Sequence, residues 1–409
     1  MESVALVCLV AIGFGLTARH LERWSVGGPV VFLVAGVILG PALTDRIDLS
    51  LGGSAVQHVT ELTLAILLFT DASTLGIATL RRSGSIPVRL LTIGLPLAIV
   101  AGAFLGHWLI AGISWGLAFL VASILAPTDA ALSLGVMNSP LVPERIRTSL
   151  NVESGLNDGI ATPFVTIFVA VVAAEESPGQ GWVLHSVKEI VLAMLVAAVV
   201  GGLGAWLAVR ARQAHWASDA SLSLLVMALA LISYAGGSTI GGNGFVASFL
   251  SGLVFALVSR DRLQDATEFS ETTGVFLSYV VWTLFGALLV GPVLAHTPWD
   301  LSAIVFAVLA LTVARMVPVA LALWGKGLPA RQVTLIGWFG PRGLASIVFL
   351  MHSLHDLHLT QDAFTEPAVE AVVWTIAISV LAHGLTSGPL IPRLTRRTTP
   401  APAAPLGAP

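Results

Sequence analysis

The sequence predicts an all-α polytopic membrane protein of about thirteen transmembrane helices, arranged as two inverted repeats with crossed, discontinuous helices five and twelve. Three observations lead there. The composition is too apolar for one globular core, apolar runs of spanning length recur along the chain, and basic residues crowd into alternate loops. Of 409 residues, 56% are hydrophobic and only 11% charged, with a mean hydropathy of +0.90; a soluble domain carries about 25% charged residues.

A spanning helix needs about 20 mostly apolar residues. Segments 3–18, 26–43 and 55–79 qualify as helices one to three, and 88–110, 114–137 and 150–174 as four to six. Segment 187–209 has few special features and reads as a connector between two halves of six. Segments 219–237, 244–259 and 270–292 follow as helices eight to ten, then 300–324, 332–352 and 368–390 as eleven to thirteen.

The start does not read as a secretory signal, because Met1-Glu2 offers no positive n-region and Arg19 and Arg23 follow the apolar run. It reads as a first membrane helix with its N-terminus outside. With that orientation the inner loops hold 16 of the 20 basic residues, the outer loops hold only Arg46 and Lys188, and two lie within the membrane. Cytoplasmic loops carry such an excess, and a miscounted helix would scramble it. The expected location is the cell membrane, with the C-terminus cytoplasmic. The final stretch "TTPAPAAPLGAP" is Pro/Ala-rich and expected to be disordered. Cys8 is the single cysteine, which excludes an internal disulfide and a cysteine metal cluster. A net charge of -3 with no basic patch gives no ground for a nucleic-acid partner.

Helices five and twelve are interrupted by "LAPTDAA" and "GWFGPRG". Proline removes a backbone donor and clashes with the preceding turn. Breaks at matching places in two halves point to the substrate site of a secondary transporter. Charges accompany the breaks. Asp71, Asp129, Glu153, Asp158, Arg315 and Arg342 fall inside apolar segments, and each costs about 2.5–3.5 kcal/mol to insert. Four acids against two bases leave two carboxylates uncompensated, so the site must take up protons, cations or both.

Helix six organises the set. Residues i and i+4 share a face, so Ser154 stacks with Asp158 and Glu153 with Asn157. The first face offers oxygen ligands to a hard cation. Glu153 is read as the partner of a buried arginine, either Arg315 or Arg342. The break in helix five frees carbonyls near Thr128, a natural cation ligand, and Asp129 is read either as balancing half-helix N-termini there or as a further carboxylate of the cation/proton site. Arg342 balances C-terminal ends. Asp158, taken out of water, can be neutralised by a proton or by a cation but not by both, and that competition is an antiport cycle.

Other signals are weaker. "HSLHDLH" places His352, His355 and His358 at helical spacing, readable as a metal site but better as a solvated, weakly pH-sensitive loop. The glycine-rich 236–244 has no preceding strand and is not a phosphate loop. Trp24, Trp108, Trp182, Trp216 and Trp299 read as interfacial anchors.

At "APTDAALSLGVM" (126–137), "ESGLNDG" (153–159), "ARMVPV" (314–319) and "GPRGLAS" (340–346) the chain resembles the monovalent cation/proton antiporter family, in its NhaP/NHE-type sodium/proton exchangers. The Asn157-Asp158 pair is similar to the electroneutral branch. The resemblance implies an ion-carrying core domain at 87–180 and 299–395, a dimerisation scaffold at 1–86 and 216–298, a connecting helix at 181–215, and a tail at 396–409. It implies a homodimer, elevator-like movement of the core, and no cofactor beyond the transported sodium ion and proton. By the same resemblance Asp158 carries the cation or proton, Ser154 and the main chain at Thr128 help ligate it, Asp71 lies close, and Glu153 bridges to an arginine with Asn157 in support. Asp71 is a departure, since bacterial relatives often have glutamate there.

The function expected is exchange of sodium or lithium for protons, not enzymatic catalysis. Potassium/proton exchange is the alternative, and an intramembrane aspartyl protease using Asp129 and Asp158 a distant one.

Overall fold

The structure is a computed structural model and describes residues 2–23, 26–47, 49–74, 84–176, 181–260, 262–295, 298–359 and 366–395. Each of the thirteen expected segments overlaps a helix, residues 75–79 of the third lie outside the described residues, and no strand occurs among the described residues. In order these are α1 Glu2–Arg23, α2 Gly28–Leu39, α3 Ser54–Thr74, α4 Ser85–Leu109, the broken α5 (α5a Trp115–Ile124, α5b Leu134–Met137) and α6 Glu144–Glu176. There follow α7 Val183–Gln213, α8 Asp219–Thr239, α9 Gly244–Ser259, α10 Gln264–Ala295, α11 Leu301–Ala322, the broken α12 (α12a Ala330–Trp338, α12b Leu344–Asp356) and α13 Pro367–Thr395. Eight are long and apolar enough to cross a membrane by length and composition, and α2, α5a and α9 are shorter apolar helices.

Local chemistry sets the irregularities. Pro96 and Pro292 cannot donate to the helical ladder, and a π turn widens it just before each, at Leu90–Gly94 in α4 and Gly286–Val290 in α10. The longest helix, α6, runs 33 residues and begins at Glu144 instead of residue 150. At a rise of 1.5 Å per residue it is about 50 Å long, more than a bilayer core.

Small residues let helices touch backbone to backbone, as in membrane interiors generally. A Cβ on Gly36 of α2 would overlap the Thr283 carbonyl of α10, and one on Gly286 would overlap the Leu33 carbonyl. Phe14, Phe32 and Tyr279 lock α1, α2 and α10 together, with Phe32 stacked on Tyr279 at 4.5 Å. One packing neighbourhood joins α2, α3, α8, α9 and α10, and another joins α4, α5a, α6, α11 and α13. Between them runs α12b, where Ile347, Val348 and Phe349 are fully buried. A helix apolar all round belongs in the interior. Apolar residues of α1, among them Leu9, Ile12 and Leu16, stay exposed on the outside of the bundle.

Trp108, Trp216 and Trp299 are exposed near helix ends, as expected of anchors. Trp24, Arg81, Arg82, Arg396, Arg397 and the tail 396–409 lie outside the described residues.

Candidate functional site

In α5 the helix stops at Ile124 and resumes as a 3₁₀ turn at Ala130–Ser133. The carbonyls of Ala126, Pro127 and Thr128 therefore have no helical donor. In α12 the helix stops at Trp338 and resumes at Leu344, with a tight turn over Phe339 where the Gly340 N–H donates to the Trp338 carbonyl at 2.8 Å. The two gaps lie against each other, joined by the Asp129 N–H donating to the Pro341 carbonyl at 2.9 Å.

Each gap supplies the charge that the other's helix ends require. Arg342 Nη1 donates to the Ala126 carbonyl at 2.7 Å and the Pro127 carbonyl at 3.2 Å, at the C-terminal end of α5a. Asp129 Oδ1 accepts from the Ala131 N–H at 2.7 Å, and its Oδ2 from the Leu344 N–H at 3.2 Å, at the N-terminus of α12b. Both match the helix dipole. The approach demands glycine, because a Cβ on Gly343 would overlap the Asp129 carboxylate and one on Gly340 would lie 2.6 Å from Arg315 Nε.

The third freed carbonyl, Thr128, meets α6. Ser154 Oγ donates to it at 2.6 Å and Asn157 Nδ2 at 3.3 Å, while Asn157 Nδ2 also meets Thr128 Oγ1 at 2.6 Å. Asn157 thus serves Thr128 and makes no hydrogen bond to the arginine bridge that the resemblance had it support. Its Oδ1 is buried with no partner among the described residues.

On the adjacent face of α6, Glu153 Oε1 pairs with Arg315 Nη1 at 2.7 Å, and both side chains are 3% exposed. This resolves the choice between two arginines that spacing left open. Arg342 is spent on helix carbonyls instead. The bookkeeping of charge then closes: Glu153 against Arg315, Arg342 against carbonyl dipoles, Asp129 against N–H dipoles, leaving Asp71 and Asp158.

Asp158 is half-buried, and no hydrogen bond to its carboxylate occurs among the described residues. No ion pair between it and a basic side chain occurs among the described residues. No three His, Cys, Asp or Glu groups among the described residues converge to hold one metal ion. A cation here would take a single carboxylate, Asp158, plus neutral oxygens from Ser154, Thr128 and Asn157. That donor set suits a monovalent hard cation.

The histidine run is placed differently from expectation. His352 is not in a solvated loop: its Nδ1 lies 3.0 Å from Glu61 of α3, which is 5% exposed. Two supporting residues escaped sequence reasoning. Ser379 Oγ of α13 accepts from the Arg342 N–H at 2.7 Å, and the buried His383 lies 3.2 Å from Ser379. Polar residues at i and i+4 in an otherwise apolar helix were the available signal.

Residues 4–392 match the family described as sodium/hydrogen exchanger, transmembrane. A Na(+)/H(+) antiporter of Schizosaccharomyces pombe is 28% identical, over 94% of this chain and 90% of its own length. A K(+)/H(+) antiporter, NhaP of Alkalimonas amylolytica, is 26% identical, over 94% of this chain and 68% of its own. Among solved structures, the sodium proton antiporter MjNhaP1 of Methanocaldococcus jannaschii at pH 8 superposes with a TM-score of 0.76, covering 97% of this chain and 100% of that one, at 17% identity. These relatives are transporters, not enzymes.

Proposed function

The chain belongs to the sodium/hydrogen exchanger family, and from that premise we propose that it exchanges sodium or lithium for protons, one for one, through competition at Asp158. The observation that carries this reading is a carboxylate without a base beside it, one helical turn along α6 from Ser154 in the Ser154–Thr128–Asn157 oxygen cluster. Such a group is neutralised by whichever of proton or cation arrives.

Electroneutral exchange is supported by the amide at Asn157, which adds a ligand without adding charge. Potassium is the second candidate cargo, since neutral oxygens accept either ion and one relative is a K(+)/H(+) antiporter. We take helices α4–α6 and α11–α13 as the moving core, α1–α3 and α8–α10 as the scaffold of a homodimer, and the motion as elevator-like. The two packing neighbourhoods support that division. Residues 1–86 and 216–298 then form the scaffold, 87–180 and 299–395 the core, and 181–215 the connector. The Glu2 face of the bundle is taken as the outside of the cell membrane, on the charge bias of the loops.

The test uses inverted membrane vesicles holding a preformed proton gradient. Sodium or lithium should collapse it, and Asp158→Asn should abolish the response. Normal exchange by that variant would remove Asp158 from the transport site.

A further inference from the structure

At the Glu2 face a cavity of about 940 Å³ opens between the C-terminal half of α6, the starts of α7 and α9, and the ends of α8 and α12b. Its wall reaches Thr162, whose hydroxyl donates to the Asp158 carbonyl at 2.9 Å. The cavity therefore comes within one helical turn of the transport carboxylate.

Beside it His352 stands between two acids. Nδ1 is 3.0 Å from Glu61 Oε1 on α3, and Nε2 is 3.4 Å from Asp356 Oδ2 one turn along α12b. Glu61 is held from its own side by Gln57 at 3.0 Å and by the Tyr234 hydroxyl of α8. Phe245 covers the ring edge-on at 5.1 Å.

A neutral imidazole has one N–H. It can serve one carboxylate and must turn a lone pair toward the other. Only the doubly protonated ring offers a donor to both. The remaining charged groups at the cavity do not alter this count. On α7, His185 and Glu189 pair at 3.0 Å, with Lys188 beside them, and Glu189 acts on His352 as a third acid. His355 and His358 also line the cavity, while α6 and α9 bring no ionisable side chain to it. Of the other elements packed on α12b, α5a has no ionisable residue, none of α10's acids lines the cavity, and on α13 Glu370 accepts from the Asp300 backbone N–H and the Trp374 indole N–H while His383 lies against Ser379 of its own helix.

We propose that Glu61–His352–Asp356 is a proton-operated tie between α3 and α12b that governs opening of the path from the Glu2 face to Asp158. It rests on the reading above that α12 moves with the core while α3 stays with the scaffold. An ion pair across that boundary must break in every cycle. Protonation of His352 from the Glu2 face holds the tie, and deprotonation releases it.

The experiment measures exchange in right-side-out and inverted vesicles, varying pH on one face at a time. Wild-type exchange should rise as the Glu2-face pH goes from about 6 to about 8, the range of a histidine. His352→Gln and Glu61→Gln should each lower the ratio of the rate at the higher pH to that at the lower by about threefold or more, and the double variant should add nothing. His352→Lys, always charged over this range, should hold the rate low at both values, a signature misfolding would not share with the glutamine variants. An unchanged ratio in the glutamine variants, or the same change when only the opposite face is titrated, overturns the tie. Asp158→Asn separates the two ideas. If it still exchanges, the transport site has failed; if it is silent while the His352 variants keep the wild-type ratio, only the tie has.

Discussion

The carboxylate of Asp129, in the break of α5, accepts a hydrogen bond from the backbone N–H of Leu344, the first residue of α12b, at 3.2 Å. With Arg342 reaching the opposite way to the Ala126 carbonyl at 2.7 Å, the two broken helices are tied by complementary charges. Neither helix could be interrupted in hydrocarbon alone, because its freed backbone groups would have no partners. Each break is stable because the other is there.

Asp129→Asn should therefore act on stability first. It keeps one acceptor and loses the charge facing two helix starts, a cost of about 1–3 kcal/mol. The thermal midpoint in detergent should fall while reduced exchange persists. An unchanged midpoint with complete loss of exchange would make Asp129 a transport group instead.

Glu153→Gln leaves the buried Arg315 guanidinium without its anion. Breaking such a pair costs about 3–5 kcal/mol, so yield and thermal stability should drop sharply. Arg315→Gln should do the same, and the double variant should recover part of the loss. Wild-type stability with lost transport would refute a structural role.

Gly343→Ala places a methyl where the Asp129 carboxylate sits. Overpacking of this kind costs about 1–3 kcal/mol, and the expected result is a lower midpoint together with impaired exchange. Gly13→Ala, where a Cβ meets nothing within 4 Å, should leave both unchanged. Equal effects at the two positions would show that the close approach at Gly343 carries no weight.

Competition at Asp158 has a quantitative mark. On the acidic limb, the cation concentration for half-maximal exchange should rise about tenfold for each unit the pH falls. Ser154→Ala removes one neutral ligand worth about 1 kcal/mol and should raise that concentration about fivefold at every pH without changing the slope. A concentration that does not respond to pH would mean that proton and cation bind together.

The helical class, the positions of the membrane segments and the two interruptions were legible because each depends on local composition. Apolar length marks a span, and proline or glycine marks a break. The face of α6 that carries Ser154 and Asp158 was legible for a similar reason, since helical periodicity is a property of neighbours in sequence. The pairing of Glu153 was not. Arg315 and Arg342 are both basic, both intramembrane and both near a break, and nothing in their spacing from residue 153 separates them. The role of Asn157 went astray because periodicity grouped it with Glu153, whereas in space the Thr128 carbonyl lies between the two faces and draws both Ser154 and Asn157.

By itself, then, the amino-acid order determined the class of protein and the helix on which Ser154, Asn157 and Asp158 lie together. Only the packed structure decided that Glu153 takes Arg315 and not Arg342, and that His352 reaches Glu61 across 291 residues of chain. The reason is physical. Insertion cost and helical repeat are set along the chain, while an ion pair is set by which side chains the crossing of two helices brings within 3 Å, and that distance is a property of the bundle.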